Sequence, residues 1–236
     1  MLVLAIDTAL EACAAAVLDT ETTALLASES QAMARGHAEA LMPLVERVII
    51  AAEIGFAALD RIAVTTGPGS FTGLRVGLAA ARGLGLAADK PVVGLTTLSA
   101  FAAPFVAEAG AHPIISAIDA RHDQVYCQVV GGNGNMLRRP QLVPIATAIE
   151  ATEFGAPILV GNAAHILARA WPQDAAAPVS ISPATAPDIA WVAWLGAAAD
   201  PVKAPARPFY LRAPDAKPQP SAIARDTPPS DTASAT

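Results

Sequence analysis

The sequence has little of several features that would point to a particular class of protein. Of its 236 residues only 15% are charged and 5% are aromatic, and it contains two Cys and four His. Because 53% of the residues are apolar, the chain can bury a large core, which excludes a wholly disordered protein. The formal net charge of −6 provides no basic surface, so tight binding of nucleic acid by this chain alone is not expected.

Targeting, membrane and metal signals are also scarce. The first ten residues, MLVLAIDTAL, have no basic flank and are interrupted by Asp7, so we expect no signal peptide. No apolar run is long enough to predict a membrane span. Cys13 and Cys127 lie in apolar runs, which favours two buried thiols in a reducing cytoplasm over a disulfide framework. No two His have metal-ligand spacing, and we expect a cytoplasmic protein without a bound metal or cofactor.

Apolar runs of strand length and of helix length alternate along the chain. Short runs predict strands, and longer runs with apolar residues three and four apart predict helices. Strands are expected at 2–6, 13–18, 24–31, 61–66, 92–95, 113–119, 125–130 and 158–160, and helices at 36–54, 71–89, 97–109 and 188–199. This alternation predicts an α/β fold.

The pattern of the first strands returns in the second half of the chain. The tripeptide Ala5-Ile6-Asp7 recurs as Ala117-Ile118-Asp119, and each copy is followed by a few polar residues and a second apolar strand. A match of three residues is weak by itself, but the shared order of strand, Asp, turn and strand favours an internal duplication.

A glycine-rich segment, GPGSFTG at 67–73, joins a predicted strand to a predicted helix. Such a turn can hold an anion, although it matches neither a P-loop nor a dinucleotide fingerprint. Asp7 and Asp119 each end a strand and can flank a cleft for a metal–nucleotide, with Gly67 and Gly69 beside them. The alternatives are a tight packing turn and two carboxylates that cap their own hairpins, and both interpretations stay open.

The first two predicted helices have unusual faces. In the first, a regular apolar stripe is widened by Met42, Ile49 and Ile50, and in the second Gly73, Gly77 and Ala81 lie four residues apart. A wide apolar band or a stripe of small residues needs a second packing partner. That partner is either the rest of the same domain or another protein.

Together these residues resemble the TsaB (YeaZ) family over about residues 1–212. The resemblance rests on LVLAIDTALEACAAAVLD, GHAEALMPLVERVI, AVTTGPGSFTGLRVGLAAARGLGLA, PVVGLTTLSAFA, AIDARHDQVYC and PFYLR. It implies an actin-like ATPase-domain fold of the sugar kinase and heat-shock type, with two duplicated lobes of mixed sheet and helices. We expect an N-terminal lobe at 1–105, a C-terminal lobe at 106–212 and a disordered Pro-rich tail at 213–236.

The resemblance implies a role in making threonylcarbamoyladenosine next to the anticodon of tRNA. The resemblance implies a non-catalytic paralogue of the transferase TsaD that forms a heterodimer with it. The ATPase TsaE joins the same complex, and tRNA is contacted mainly through that complex. Without TsaD, the protein is expected to form a homodimer. The first-lobe helices form the contact with TsaD. The expected partner-binding residues follow from helical spacing together with the resemblance, and they are Leu41, Leu44, Val45, Val48, Gly73, Leu74, Gly77, Leu78 and Ala81.

The paralogy with TsaD also implies what this chain has lost. The two His of the TsaD metal motif fall on Thr97 and Phe101, which cannot replace histidine ligands. The turn Gly161-Asn162-Ala163-Ala164 is poorer in glycine than the adenosine-binding turn of active members of the fold. The resemblance therefore implies that the candidate nucleotide site of Asp7, Gly67, Gly69 and Asp119 is vestigial, and no catalytic residue is expected.

Two other functions stay open at this point. An active ATPase or phosphotransferase would use Asp7 and Asp119, and a metallopeptidase is less favoured because of Thr97 and Phe101. Under the partner hypothesis, Leu74→Asp or Gly77→Leu is expected to block partner binding and leave the fold intact.

Overall fold

Two five-stranded sheets carry the fold. The computed structural model describes residues 1–106 and 108–212, and over these residues it contains ten strands and six α-helices. The tail predicted at 213–236 lies outside the described residues. The strands are β1 (Leu2–Asp7), β2 (Ala12–Asp19), β3 (Ala24–Ala32), β4 (Arg61–Gly67), β5 (Val92–Thr96), β6 (Ile114–Asp119), β7 (Gln124–Val130), β8 (Met136–Pro144), β9 (Ile158–Val160) and β10 (Ser180–Ser182).

The helices differ greatly in length. They are α1 (His37–Ala51), α2 (Phe71–Ala88), α3 (Thr97–Ala102), α4 (Ile145–Ala148), α5 (Ala164–Ala170) and α6 (Ile189–Ala198), with 3₁₀ turns at Phe56–Ala58, Ala103–Phe105 and Ile149–Phe154. The helix predicted at 97–109 ends early because Pro104 cannot continue its hydrogen-bond ladder. None of the helices described here is long and apolar enough to cross a membrane.

Both sheets have the same strand order. The first is β3-β2-β1-β4-β5 and the second is β8-β7-β6-β9-β10. In each, the central strand pairs antiparallel with the next strand in sequence and parallel with the fourth strand of its unit. Asp7 and Asp119 end the two central strands. The repeat confirms the predicted α/β, actin-like fold with two duplicated lobes.

Helices cover both faces of the first sheet. Helices α1 and α2 pack on one face around Leu4, Leu44 and Ile62, and α6 packs on the other face against Val3 and Ala63. The lobe boundaries at 105 and 106 stay a prediction. Helix α6, which that prediction assigned to the second lobe, packs on the first sheet.

Helix α3 lies between the two sheets. Its Ala100 packs with the cluster of the first sheet, whereas Leu98 and Phe101 pack with Ile114 and Ile118 of the second. Both lobes therefore share one short apolar helix, which joins their cores.

The stripe of small residues on α2 faces the chain's own first turn. A Cβ at Gly73 would meet the carbonyl oxygen of Thr8, and a Cβ at Gly77 would meet its hydroxyl. The Thr8 hydroxyl donates a hydrogen bond to the Gly73 carbonyl at 2.7 Å. Ser70 begins the helix as predicted, because its hydroxyl accepts from the Gly73 amide at 3.3 Å.

The nine expected partner-binding residues lie on the faces of their helices that pack within the chain, and their role in partner binding stays a prediction. All of them are buried in the first lobe, because both helices turn their regular apolar stripes toward the sheet. They are Leu41, Leu44, Val45, Val48, Gly73, Leu74, Gly77, Leu78 and Ala81. Leu74→Asp would bury a charge and Gly77→Leu would overlap Thr8, so neither is expected to leave the fold intact.

Two glycines of α2 should respond oppositely to alanine. Gly73→Ala places a methyl group against the Thr8 backbone, and we expect it to lower the unfolding free energy by about 3 kcal/mol. Gly83→Ala meets nothing within 4 Å, and it should raise that free energy by about 0.5–1 kcal/mol because alanine favours helix. Urea denaturation of both variants measures these changes, and equal effects would contradict the packing of α2 described above.

Candidate functional site

A cleft separates the two lobes. Its volume is about 780 Å³, and side chains of both charge signs line it. One wall comes from the first lobe, one from the second lobe and one from the C-terminal segment. The lining residues used below are Glu11, Arg35, His37, Gly69, Ser70, Phe71, Asp119, Arg121, Asn162, Phe209, Tyr210 and Arg212.

Asp7 lies beneath this cleft and does not line it. Its side chain is fully buried, and Oδ1 accepts hydrogen bonds from the Ala9 amide and the Thr65 hydroxyl, at 3.1 and 2.5 Å. Oδ2 has no hydrogen-bond partner among the described residues. Burial raises the pKa of the Asp7 carboxyl from 3.8 to about 6, against the opposing effect of the Thr65 and Ala9 hydrogen bonds. The buried carboxyl is therefore out of contact with any ligand that occupies the cleft.

The glycine-rich turn is packed against the chain's own first turn. The Ser70 amide donates to the Ala9 carbonyl at 2.7 Å, and a Cβ at Gly69 would overlap that carbonyl. Gly67 has φ +110° and lies buried beneath Leu74 and Phe209. The segment therefore acts as a packing turn in this structure, the alternative that the sequence left open.

Asp119 is exposed where Asp7 is buried, although the two end equivalent strands. Its carboxylate accepts from the Arg121 amide at 2.8 Å, and its own amide donates to Asn162 at 2.8 Å. After Ala120, the three consecutive residues Arg121, His122 and Asp123 all have φ between +53° and +61°. Such a left-handed run without glycine is strained, and it lies at the mouth of the cleft.

The structure brings only two of the four candidate nucleotide-site residues to the cleft. Gly69 and Asp119 line it, whereas Asp7 and Gly67 are buried beneath it. The vestigial nucleotide site thus stays a prediction.

His37 packs against the first turn of the chain. Its Nε2 lies 3.0 Å from the Leu10 carbonyl oxygen, and the side chain is buried at the start of α1. Burial also raises the pKa of the Cys13 thiol to about 11 and that of Cys127 to about 12, so neither supplies a thiolate at neutral pH.

Thr97 and Phe101, on which the resemblance placed the two His of the TsaD metal motif, are buried in the shared helix α3. Thr97 is 0% exposed and Phe101 is 4% exposed, and both pack inside the protein. In the part of the chain that the structure describes, no three His, Cys, Asp or Glu side chains come together as metal ligands do.

The outward faces of α1 and α2 form a second candidate site, and its residues are not among the nine expected partner-binding positions. We call it the outer face and define it by Met42, Ile50, Ala79, Gly83 and Leu86. Ile50 is 67% exposed and Leu86 is 87% exposed, so neighbouring helices present large apolar side chains to solvent. Gly83 has open space where a Cβ would stand, so packing within the chain does not require it. The widened apolar band of α1 was the signal that could have directed attention to this face.

A family model and a set of relatives match this chain. The model for TsaD, tRNA N6-adenosine threonylcarbamoyltransferase, matches residues 26–178. A tRNA threonylcarbamoyladenosine biosynthesis protein TsaB from Escherichia coli is 36% identical over 126 residues, which are 53% of this chain and 53% of that protein. The chain thus spans about half the length of this curated relative. An uncharacterized protein from Mycobacterium tuberculosis is 33% identical over 92% of this chain and 94% of its own length.

A solved structure shares the whole architecture. YeaZ from Pseudomonas aeruginosa superposes with a TM-score of 0.71 at 27% identity, over 89% of this chain and 99% of that one. The likeness covers both sheets, so it extends beyond the half that the curated relative matches.

Asp7→Asn should change how stability depends on pH. The carboxyl has a pKa of 3.8 when unfolded and about 6 when folded, so the folded chain binds more protons between these values. The extra proton bound by the folded chain stabilises it. This contribution to the unfolding free energy is fully present below about pH 3.8 and is lost as the pH rises through about 6, a fall of about 3 kcal/mol. The unfolding free energy of the asparagine variant should lack this fall, as measured by urea denaturation from pH 4 to pH 8.

The exposed Asp119 provides the matched control for that measurement. Asp119→Asn changes the equivalent strand end and should keep the wild-type fall in stability. A slope that Asp7→Asn leaves unchanged would show that another group causes it.

Proposed function

This chain belongs to the TsaB (YeaZ) family, and from that premise we propose that it is the non-catalytic subunit of a complex that makes threonylcarbamoyladenosine in tRNA. In this proposal it binds a TsaD-type transferase, the ATPase TsaE joins the complex, and tRNA is contacted mainly through the partners. The family model and the TsaB relatives support this assignment.

The observation that carries the partner role is the outer face. Helices α1 and α2 lie side by side on the first sheet and expose Met42, Ile50 and Leu86 to solvent. Gly83 stands in the same row of α2 as Ala79 and Leu86, three to four residues apart. A glycine inside an exposed helix costs about 1 kcal/mol relative to alanine, and close approach of a second helix gives it a purpose.

The occupant that we propose for the outer face is the TsaD-type transferase. A partner helix would bury the exposed apolar side chains, and Ala79 and Gly83 would let the two backbones approach closely. In the absence of that partner, a second copy of this chain would cover the same surface as a homodimer. These residues replace the nine buried positions expected from helical spacing.

The site geometry supports a non-catalytic role. Asp7 is buried with its charge disfavoured, and the Ser70 amide is already bonded to the Ala9 carbonyl. The Asp7 carboxyl is thus out of reach of a nucleotide in the cleft, and the Ser70 amide is already used within the chain. The ATPase alternative predicts hydrolysis of ATP by the purified chain, and Asp7→Ala would abolish it.

Substitutions on the outer face should weaken partner binding without unfolding the chain. Leu86→Asp and Gly83→Leu change helix positions that face solvent, so the unfolding free energy should stay near that of the wild type. Affinity for the TsaD-type transferase of the same organism should fall at least about tenfold, because a charge or added bulk enters the contact. Calorimetry measures the affinity, and light scattering during gel filtration measures the stoichiometry, expected to be one to one.

Val202 offers a matched control because it is 88% exposed and lies outside both helices. Val202→Asp should bind the transferase like the wild type. Threonylcarbamoyl transfer to tRNA, assayed with TsaE and threonylcarbamoyl-adenylate, should fail without this chain and weaken with Leu86→Asp. Normal binding by both outer-face variants would refute the proposed surface.

A further inference from the structure

The C-terminal segment 204–212, which we call the strap, is fastened along the first lobe. The Gly94 amide donates to the Ala204 carbonyl at 2.9 Å, and Pro205 forms an antiparallel bridge with Val93 of the edge strand β5. Arg82 of α2 donates from Nε to the Ala206 carbonyl at 2.9 Å. These contacts fix the first half of the strap to a strand edge and to a helix.

Two glycines make room for this path. A Cβ at Gly94 would lie 2.8 Å from the Pro205 carbonyl oxygen, and a Cβ at Gly67 would lie 3.0 Å from the Phe209 carbonyl oxygen. The Phe209 amide donates to the Thr66 carbonyl at 2.8 Å. The first lobe is thus shaped to receive the strap along the edge of the cleft.

The end of the strap binds the second lobe. Arg212 donates from Nη1 to the Ala120 carbonyl at 2.9 Å and from Nη2 to Gln124 Oε1 at 2.6 Å. Ala120 and Gln124 flank the strained left-handed turn of Arg121, His122 and Asp123. The Arg212 guanidinium therefore binds both ends of this turn in the second lobe, while the rest of the strap is held on the first lobe.

The strap also contacts the first residue of α2. The rings of Tyr210 and Phe71 are 5.3 Å apart, and the Arg75 guanidinium lies 4.9 Å from the centre of the Phe71 ring. A change in the position of the strap would therefore alter the packing of Phe71 at the start of α2.

We infer that the strap is an intramolecular clamp that fixes the two lobes relative to each other, with Arg82 and Arg212 as its positioning residues. Arg82 holds the strap to the first lobe, and Arg212 carries it to the second. Loss of either contact frees the strap at one end and lets the cleft open. This inference does not rest on the proposed function, because it concerns the chain by itself.

Pulsed electron spin distances between the lobes test the clamp on the full chain. Spin labels attached at Ala57→Cys and Ala170→Cys report on the first and second lobe, since both positions are exposed and Cys13 and Cys127 are buried. Arg212→Ala should broaden the distance distribution and lengthen its mean. Arg82→Ala should do the same, and it provides a second variant if the first fails to fold.

Arg207→Ala is the matched control because this arginine is exposed within the strap. It should leave the distance distribution of the wild type unchanged. Hydrogen exchange gives an independent readout: the Phe209 amide should exchange at least about tenfold faster in Arg212→Ala than in Arg207→Ala. Distances and exchange rates that match the wild type in both clamp variants would overturn the inference, whatever the result of partner binding.

Discussion

The close contact between helix α2 and the turn after β1 is the constraint on which the rest of the structure depends. Gly73 and Gly77 let the helix lie on Thr8, and the Thr8 hydroxyl bonds to the helix backbone. The glycine-rich turn is thereby held against Ala9, and Asp7 is sealed beneath it. The same contact leaves Gly83 and Leu86 on the side of α2 that faces solvent, so the packing of one helix both buries Asp7 and exposes the outer face.

The two duplicated lobes share a strand order but differ in what covers the end of the central strand. The central strands end in the same tripeptide, yet Asp7 is fully buried and Asp119 is exposed. In the first lobe the 18-residue helix α2 covers the strand end, whereas the 7-residue α5 of the second lobe leaves it open. Because burial removes water from Asp7, the pKa of its carboxyl rises to about 6, and the neutral form predominates below that pH. The same sequence motif thus acquires two chemical characters.

Most of the fold could be predicted from patterns, whereas the candidate site could not. Apolar periods located the long elements, and the recurrence of Ala-Ile-Asp predicted the duplication that the two strand orders confirm. Short elements such as α4 and β10 were missed because three or four residues carry too little period to be recognised. The expected partner residues were placed on the regular apolar stripes, but a regular stripe is the face that a helix turns toward its own sheet.

The sequence by itself determined the α/β class, the internal duplication and the family, because periodicity and a long glycine-rich motif are local properties of the chain. Only the tertiary structure decided which face of α2 is free, why Asp7 differs from Asp119, and that residues 204–212 join the two lobes. These depend on contacts between residues far apart in sequence, such as Arg212 with Ala120 and Gly73 with Thr8. Burial and hydrogen bonding of that kind arise from packing, which no local pattern encodes.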